Sequence, residues 1–572
     1  MKKLLKINLV LLFICITTPA FSQSYSKYVI RFTDKNYSPS NLYTVGNPSA
    51  YLSLKAMQRR ANQGIQISLN DLPVNPAYID SVKAAGAVTI LCKSKWLNSV
   101  TIYTTDAVAL NKINTFPFVV KVDSVFKFIP KLKTPIATAN SLKQFNVSES
   151  TKTPLQTNNY STEKQTFSFD YGLSFTQANM INIDYLHNLG FRGQGMTIAV
   201  IDAGFWGADT MQVFDSLWIN NQIMGTYDFV NPGGNVFTAA THGMMVLSTM
   251  GGNLPGQIIG TAPKANYWLL RSEDAPTEYV IEEYNWVSAA EFADSVGADV
   301  INSSLGYTEF DNAVQNYTYA DMNGHTCIST FGASTAASKG ILVVNSAGNS
   351  GYNPWKYIGA PADADSILTI GAVNGSQIPA AFTSHGPSSD GRIKPNVAAM
   401  GEGTIVASTS GGVISGNGTS FSSPIMAGAS ACLWQAFPAM TNMDILSAIE
   451  QSASKYSNPD TLIGYGIPNF IVANLILSSV HINNLDDEGF VNAFPNPFNK
   501  AIYLIFFSND TQSVNIEMFD INGRRVYYKA NLQRTIGYNY FTIDDLEKLS
   551  QGLYLVRISS SKHVVTQKLI KK

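Results

Sequence analysis

The chain has 572 residues, with 39 Lys+Arg against 40 Asp+Glu and 45% hydrophobic residues. At about 150 residues per domain this suggests three or four units with ample core, and a net charge of −1 without a basic block excludes a nucleic-acid footprint. Four Cys exclude a disulfide scaffold, and ordinary Gly and Pro contents exclude a collagen-like or broadly disordered chain.

Residues 1–22 read as a secretory signal peptide. Lys2, Lys3 and Lys6 precede an apolar run from Leu9 to Ile16, and Ala20-Phe21-Ser22 forms a small-x-small cleavage site. The run falls well short of the ~20 apolar residues a membrane span needs, and Cys15 lacks the small residues that would precede a lipid-anchored cysteine. No other long apolar run follows, so no membrane span is expected. Cys92, Cys327 and Cys432 remain after cleavage, at spacings unlike a metal site. Residues 24–130 mix short β runs (Tyr28–Phe32, Ser99–Tyr103) with helical candidates at Ala50–Arg60 and Ala77–Ala85, a compact α+β module. Residues 131–170 turn to Thr, Ser, Asn, Gln and Lys, which reads as an exposed linker.

From 171 to 478, short apolar runs alternate with helix-length segments. The runs Thr197–Ile201, Asp299–Ile301, Ile341–Val344 and Ile367–Ile370 suit parallel strands buried on both faces, with helices as crossovers. A connector at 479–490 leads to a terminal domain at 491–572. There the pattern changes to alternation, as in Val514-x-Ile516-x-Met518 and Tyr554-x-Val556-x-Ile558, with an Asn522-Gly523 turn. This predicts a small antiparallel β-sandwich.

Three places in the 171–478 segment carry chemistry. Asp202 ends a buried strand and is followed by Gly204; strand carboxyl ends are where α/β crevices form, although a turn aspartate satisfying nearby N–H groups would look the same. His242, beside Gly243, opens an apolar helix and could be a base or a core histidine. Elimination favours it among six His: His481 lies in the connector, His563 in the terminal domain, His187 in a polar, surface-like helix and His325 in an Asn-Gly stretch, which leaves His385 as its rival. Ser420 follows Gly416-Asn-Gly418-Thr419 and opens a small-residue helix, where orphan N–H groups suit a developing oxyanion. A plain helix cap is the competing reading, and Ser422 and Ser423 fall inside the first turn rather than at its mouth.

The order Asp202…His242…Ser420 is that of subtilisin, distinct from chymotrypsin-like enzymes and α/β-hydrolases. With it, Gly418-Thr-Ser-Phe-Ser-Ser-Pro424 matches the nucleophile signature Gly-Thr-Ser-x-x-x-Pro, and the chain resembles the subtilase family of serine endopeptidases over about 310 residues. Phe382–Pro395 resembles the family's Ser-x-Gly-Pro…Lys-Pro run. The acid motif departs from the usual Asp-Ser/Thr-Gly, reading Asp202-Ala203-Gly204. The base motif departs from His-Gly-Thr-His, with Met244 and Met245 in the last two places.

The resemblance implies an α/β fold with a mainly parallel sheet flanked by helices. It also implies catalysis by Asp202, His242 and Ser420, an oxyanion-binding Asn349 in Ser346-Ala-Gly-Asn349, and a substrate-pairing edge at Ser304, Leu305 and Gly306. No metal or cofactor is assigned; many members bind structural calcium, but no Asp-rich loop here demands it. Residues 24–130 resemble a subtilase propeptide, an intramolecular inhibitor removed by processing in the 131–170 linker. Residues 491–572 resemble a type IX secretion C-terminal sorting domain, on Phe494-Pro-Asn-Pro-Phe498, Asp520-Ile-Asn-Gly523, Gly552-Leu-Tyr554 and Lys568-Leu-Ile-Lys571. Together these imply a secreted or surface peptidase that passes the periplasm and acts on proteins or peptides. An inactive surface binding protein on the same scaffold is the alternative. A serine esterase is disfavoured, because Gly418-Thr419-Ser420 is not a Gly-x-Ser-x-Gly elbow.

Overall fold

A computed structural model of the chain describes residues 26–37, 41–127, 169–478 and 491–572, the last without 495, 509, 510, 512, 534–536 and 561–563. The signal segment, nearly all of the predicted 131–170 linker, the 479–490 connector, His481 and His563 lie outside the described residues.

The N-terminal domain is a four-stranded antiparallel sheet in the order Thr89–Ser94, Ser99–Tyr103, Ser26–Phe32, Val119–Lys127. Its alternating strands have two apolar faces. One buries Ile30, Val100 and Ile102 under the helices Pro76–Lys83 and Ala107–Asn114, through Ile79, Val82 and Ile113. The other turns Val29 and Val125 onto Tyr279, Ile281 and Tyr284, which begin or precede the helix Ile281–Val296 of the next domain. Both predicted helices are present, shifted to Leu54–Asn62 and Pro76–Lys83. Ser53 and Asn75 accept backbone N–H groups at their starts, so the caps rather than the apolar pattern set the boundaries.

The central domain is built on a seven-stranded, all-parallel sheet. Its order is Val397–Met400, Leu368–Val373, Leu342–Ser346, Val300–Ser303, Thr197–Asp202, Asn266–Arg271, Ile223–Asp228. The four apolar runs read from sequence supply the central strands, each buried throughout. One face is covered by the helices His242–Gly251 and Thr419–Ala436, the other by Ile281–Val296 and Ile328–Ser338. Lys394 of the Lys-Pro motif is fully enclosed, donating to Ile367 O, Thr369 Oγ1 and Asn396 Oδ1, and burial draws its ammonium pKa down to about 7.

In the C-terminal domain, a three-stranded and a four-stranded antiparallel sheet share one core that includes Phe498, Leu504, Met518, Val556 and Leu569. The predicted Asn522-Gly523 turn joins Val514–Asp520 to Arg525–Leu532, with Asp520 Oδ1 accepting the N–H groups of Asn522 and Arg524.

The first two domains meet across a buried ionic contact. Asp294, on the helix Ile281–Val296, is fully buried between Arg59 Nη2 (2.6 Å), Arg60 Nη2 (2.7 Å) and Lys95 Nζ (2.9 Å). Arg60 also holds Asp71 at 2.8 Å, and Lys339 reaches the same Asp71 oxygen at 2.9 Å. One helical turn earlier, Glu291 accepts from Ser94 Oγ (2.5 Å), Lys95 N (2.6 Å) and Trp96 N (2.9 Å), capping the turn between two strands of the N-terminal sheet.

Candidate active site

Asp202 is the last residue of the central strand and is fully buried. Its Oδ1 accepts from Ala203 N at 2.7 Å and lies 2.8 Å from His242 Nδ1. His242 is the first residue of its helix and just 2% exposed. Gly243 permits the approach: a Cβ there would lie 2.5 Å from Gly204 O and 2.9 Å from the Asp202 Cβ. Met244 points into the core with Leu247 and Met250, so it replaces a polar residue by packing. Where the family's Ser or Thr would follow the acid, Ala203 brings no hydroxyl, and Asp202 Oδ2 has no hydrogen-bond partner among the described residues.

Ser420 is the second residue of the helix Thr419–Ala436, which packs along the histidine helix, and the His242 ring lies 6.1 Å from that of Phe421. The signature proline has a visible consequence here. Pro424 has no N–H to give the carbonyl four residues back, and that carbonyl, Ser420 O, instead accepts Ser304 Oγ at 2.9 Å. In return Ser420 Oγ reaches Ser304 O at 3.4 Å, so the nucleophile and the cleft edge are tied at two points.

Asn349 Oδ1 accepts from Thr419 N (2.9 Å) and Thr419 Oγ1 (3.0 Å), while Thr419 Oγ1 accepts from Gly348 N (3.1 Å). With its oxygen pinned, Asn349 has its Nδ2 left to donate into the cleft. Gly418 is required by its backbone, φ 153°, since a Cβ there would meet Asn349 Nδ2 and the Ser420 Cβ only at the ordinary contact distances of 3.6 and 3.8 Å. One cavity is lined by Ser304, Leu305, Gly306, Asn349 and Ser420, each named from sequence, and by Ala203, the neighbour of Asp202.

The sequence reading of His187 is corrected. It is fully buried, with Nδ1 2.5 Å from Tyr171 Oη and Nε2 3.0 Å from Thr261 O. Burial pushes its pKa down to about 4. Its polar neighbours Asp184 and Asn188 suggested a surface helix; the aromatic rings of Phe169 and Tyr171, from a preceding loop, enclose it. His325 is exposed, and His385 pairs through its backbone with Lys356 and Ile358, so neither is bonded to Asp202.

Sequence reasoning missed the cleft's second wall. Glu273 and Glu278 line it, and with Glu282 they place carboxylate oxygens within 4.8 Å of one another, all three residues buried. Glu273 Oε1 accepts from Tyr307 Oη and from Ser272 Oγ at 3.3 Å, and Glu282 Oε1 accepts from Asp274 N at 3.0 Å. These carboxylates are thus held in the protein's own hydrogen-bond network. Acidic residues at these spacings normally mark a solvated loop, and no local signal announces their burial.

Comparison with known proteins agrees with this architecture. Residues 193–466 match the subtilase family, residues 27–143 the peptidase S8 propeptide domain of Bacteroidota, and residues 492–572 a secretion system C-terminal sorting domain. Subtilisin E of Bacillus subtilis (strain 168) is 30% identical over 297 residues, covering 51% of this chain and 68% of its own. Subtilisin of Bacillus pumilus is 29% identical over 308 residues, covering 53% and 97%. Among solved structures, MycP1 from Mycobacterium smegmatis aligns at 22% identity and a TM-score of 0.41, over 55% of this chain and 86% of that one. Within the described residues no helix is long and apolar enough to cross a membrane, and the sorting domain indicates secretion or cell-surface attachment. With its catalytic domain preceded by a propeptide domain and followed by a sorting domain, the chain belongs to the subtilase family and is a subtilisin-like serine endopeptidase.

Proposed function

We propose that Ser420, His242 and Asp202 act as nucleophile, base and orienting acid in hydrolysing peptide bonds of proteins. The observation that carries this is the 2.8 Å contact between His242 Nδ1 and Asp202 Oδ1, buried at the helix ends where Ser420 also sits. His242 takes the Ser420 Oγ proton as the oxygen attacks the scissile carbonyl, and returns it to the leaving amine. Asp202 holds the imidazole tautomer and stabilises the imidazolium. Asn349 Nδ2 and the Ser420 N–H receive the oxyanion, and water then hydrolyses the acyl-enzyme. Substrate lies extended along Ser304–Gly306, main chain against main chain. This chemistry requires no metal, and structural calcium has no assigned ligands.

The N-terminal domain, on this reading, blocks the cleft as an intramolecular inhibitor until it is cut off. The C-terminal domain engages the type IX secretion machinery after passage through the periplasm.

A fluorophosphonate tests the assignment directly: tryptic mass spectrometry of the labelled protein will place the adduct on Ser420. An unlabelled Ser420 in folded, processed protein sinks the mechanism. Asn349→Ala will still label, but peptide hydrolysis will fall about 10²–10³-fold in kcat with little change in KM, because the lost donor serves the transition state.

A further inference from the structure

Asn345 has no part in the bond-breaking chemistry above, yet it stands where the cleft opens. The strands Val300–Ser303 and Leu342–Ser346 pair in parallel from Val300↔Leu342 to Ser303↔Asn345, and the pairing stops there. Beyond that point the two chains line the cavity beside Ser420, one through Ser304, Leu305 and Gly306, the other through Ser346, Gly348 and Asn349. Crevices outside the carboxyl ends of strands are where α/β sheets bind ligands. Each edge is also held to the nucleophile helix: Ser304 Oγ donates to Ser420 O at 2.9 Å, and Gly348 N to Thr419 Oγ1 at 3.1 Å. The Asn345 amide joins the edges to each other. Its Nδ2 donates to Leu305 O at 3.2 Å on one edge and to Ser346 O at 2.8 Å on the other.

The other half of the same side chain shows what it is there for. Asn345 follows the apolar Val343 and Val344 in its strand and is fully buried, and its Oδ1 has no hydrogen-bond partner among the described residues. An unpaired acceptor in such a place is destabilising, and an apolar residue of the same shape would avoid it. What the position keeps is therefore the donor, and it goes to carbonyls of two residues that line the cavity. We propose that Asn345 is a positioning residue that sets the width of the cleft, and with it the size of the substrate side chain accepted beside the scissile carbonyl. The inference rests on the peptidase reading, in which substrate lies along Ser304–Gly306 with its carbonyl at Asn349 and Ser420. In that pose the side chain on the acyl side of the scissile bond enters between the two edges that Asn345 joins. With the amide present, the edges part only by breaking a buried hydrogen bond; without it, they give way to a larger side chain.

The test is hydrolysis of a peptide series, identical except for Ala, Leu or Phe before the scissile bond, by processed wild type and by Asn345→Leu. Leucine keeps the shape of asparagine and removes both the donor and the unpaired acceptor. The readout is the ratio of kcat/KM between the Phe and Ala peptides, from which any loss of active protein cancels. Asn345→Leu will shift that ratio towards Phe by about 10-fold or more, the discrimination one methylene makes in a pocket, while a fluorophosphonate still labels Ser420. If Asn345→Leu yields no labelled protein, Asn345→Ser, which keeps a donor, will show the same shift in smaller measure. A ratio that is unchanged in a labelled variant, or shifted towards Ala, overturns the proposal and leaves the peptidase standing. Absence of both hydrolysis and Ser420 labelling in wild type overturns the peptidase reading and this one with it.

Discussion

Ser420→Ala protein will be isolated with its N-terminal domain still joined to the chain, whereas wild type will have lost that covalent link somewhere in 131–170. N-terminal sequencing and intact mass read the difference in one experiment. Removing the nucleophile of a triad costs about 10⁴–10⁶ in kcat, because His242 and Asp202 have nothing left to activate and the residual rate comes from the oxyanion donors and binding. A loss of that size converts self-processing from minutes to far longer than a purification. The fold will survive the change: Ser420 holds Ser304 through its backbone carbonyl, which alanine retains, and the side chain adds one 3.4 Å contact. If variant and wild type are cut alike, a different peptidase removes the domain.

Asp294→Ala will release the N-terminal domain from the catalytic domain after cleavage. Asp294 is fully buried against Arg59, Arg60 and Lys95, all from the other domain, so alanine leaves three cations facing each other in a dry interface. Breaking such a contact costs about 3–5 kcal/mol, roughly 10²–10⁴ in affinity. On gel filtration at neutral pH, processed wild type will carry its cleaved domain along, and processed Asp294→Ala will not. Peptide hydrolysis by the freed enzyme will at least match wild type, since Asp294 does not line the cleft. Acid will mimic the substitution. Burial works to raise the Asp294 carboxyl, but Lys95, Arg59 and Arg60 hold it well below its ordinary value of 3.8. The contact therefore contributes fully above about pH 4 and fades as pH falls below it. Co-elution that persists in Asp294→Ala would place the binding energy in the apolar contacts of Val29, Val125 and Tyr284 instead.

The parts of this protein that were legible in its sequence are those where local chemistry and long-range structure ask for the same residues. The continuous apolar runs at 197–201 and 341–344 can only be buried strands, and they are central ones. Gly418-Thr419-Ser420 and Pro424 are locally odd for a helix start, and each oddity has a structural use: a positive-φ turn, a clamp on the Asn349 oxygen, and a freed carbonyl. His187 went the other way, because its surroundings come from elements whose placement its own neighbours do not encode. The same holds for Glu273, Asp294 and Glu291. In sequence they are ordinary acidic residues; their burial is created by a second domain or by the opposite side of a cleft.

The strand order of the catalytic sheet bears on how the protein reaches its native state. Thr197–Asp202 sits between Val300–Ser303 and Asn266–Arg271, and the outermost strand on one side comes from Val397–Met400. No two neighbours in that sheet are joined by a short hairpin, so every pairing closes a long loop before it gains contacts, which makes for slow collapse. The N-terminal domain, in which only Thr89–Ser94 and Ser99–Tyr103 pair through a short hairpin, lays its sheet on Ile281–Val296, the helix that runs straight into Val300–Ser303. It thereby braces the middle of the slow sheet. If processing removes that domain as proposed, the brace is gone while the native packing remains. The mature enzyme's endurance is then a matter of how slowly it unfolds, since the route back has been discarded.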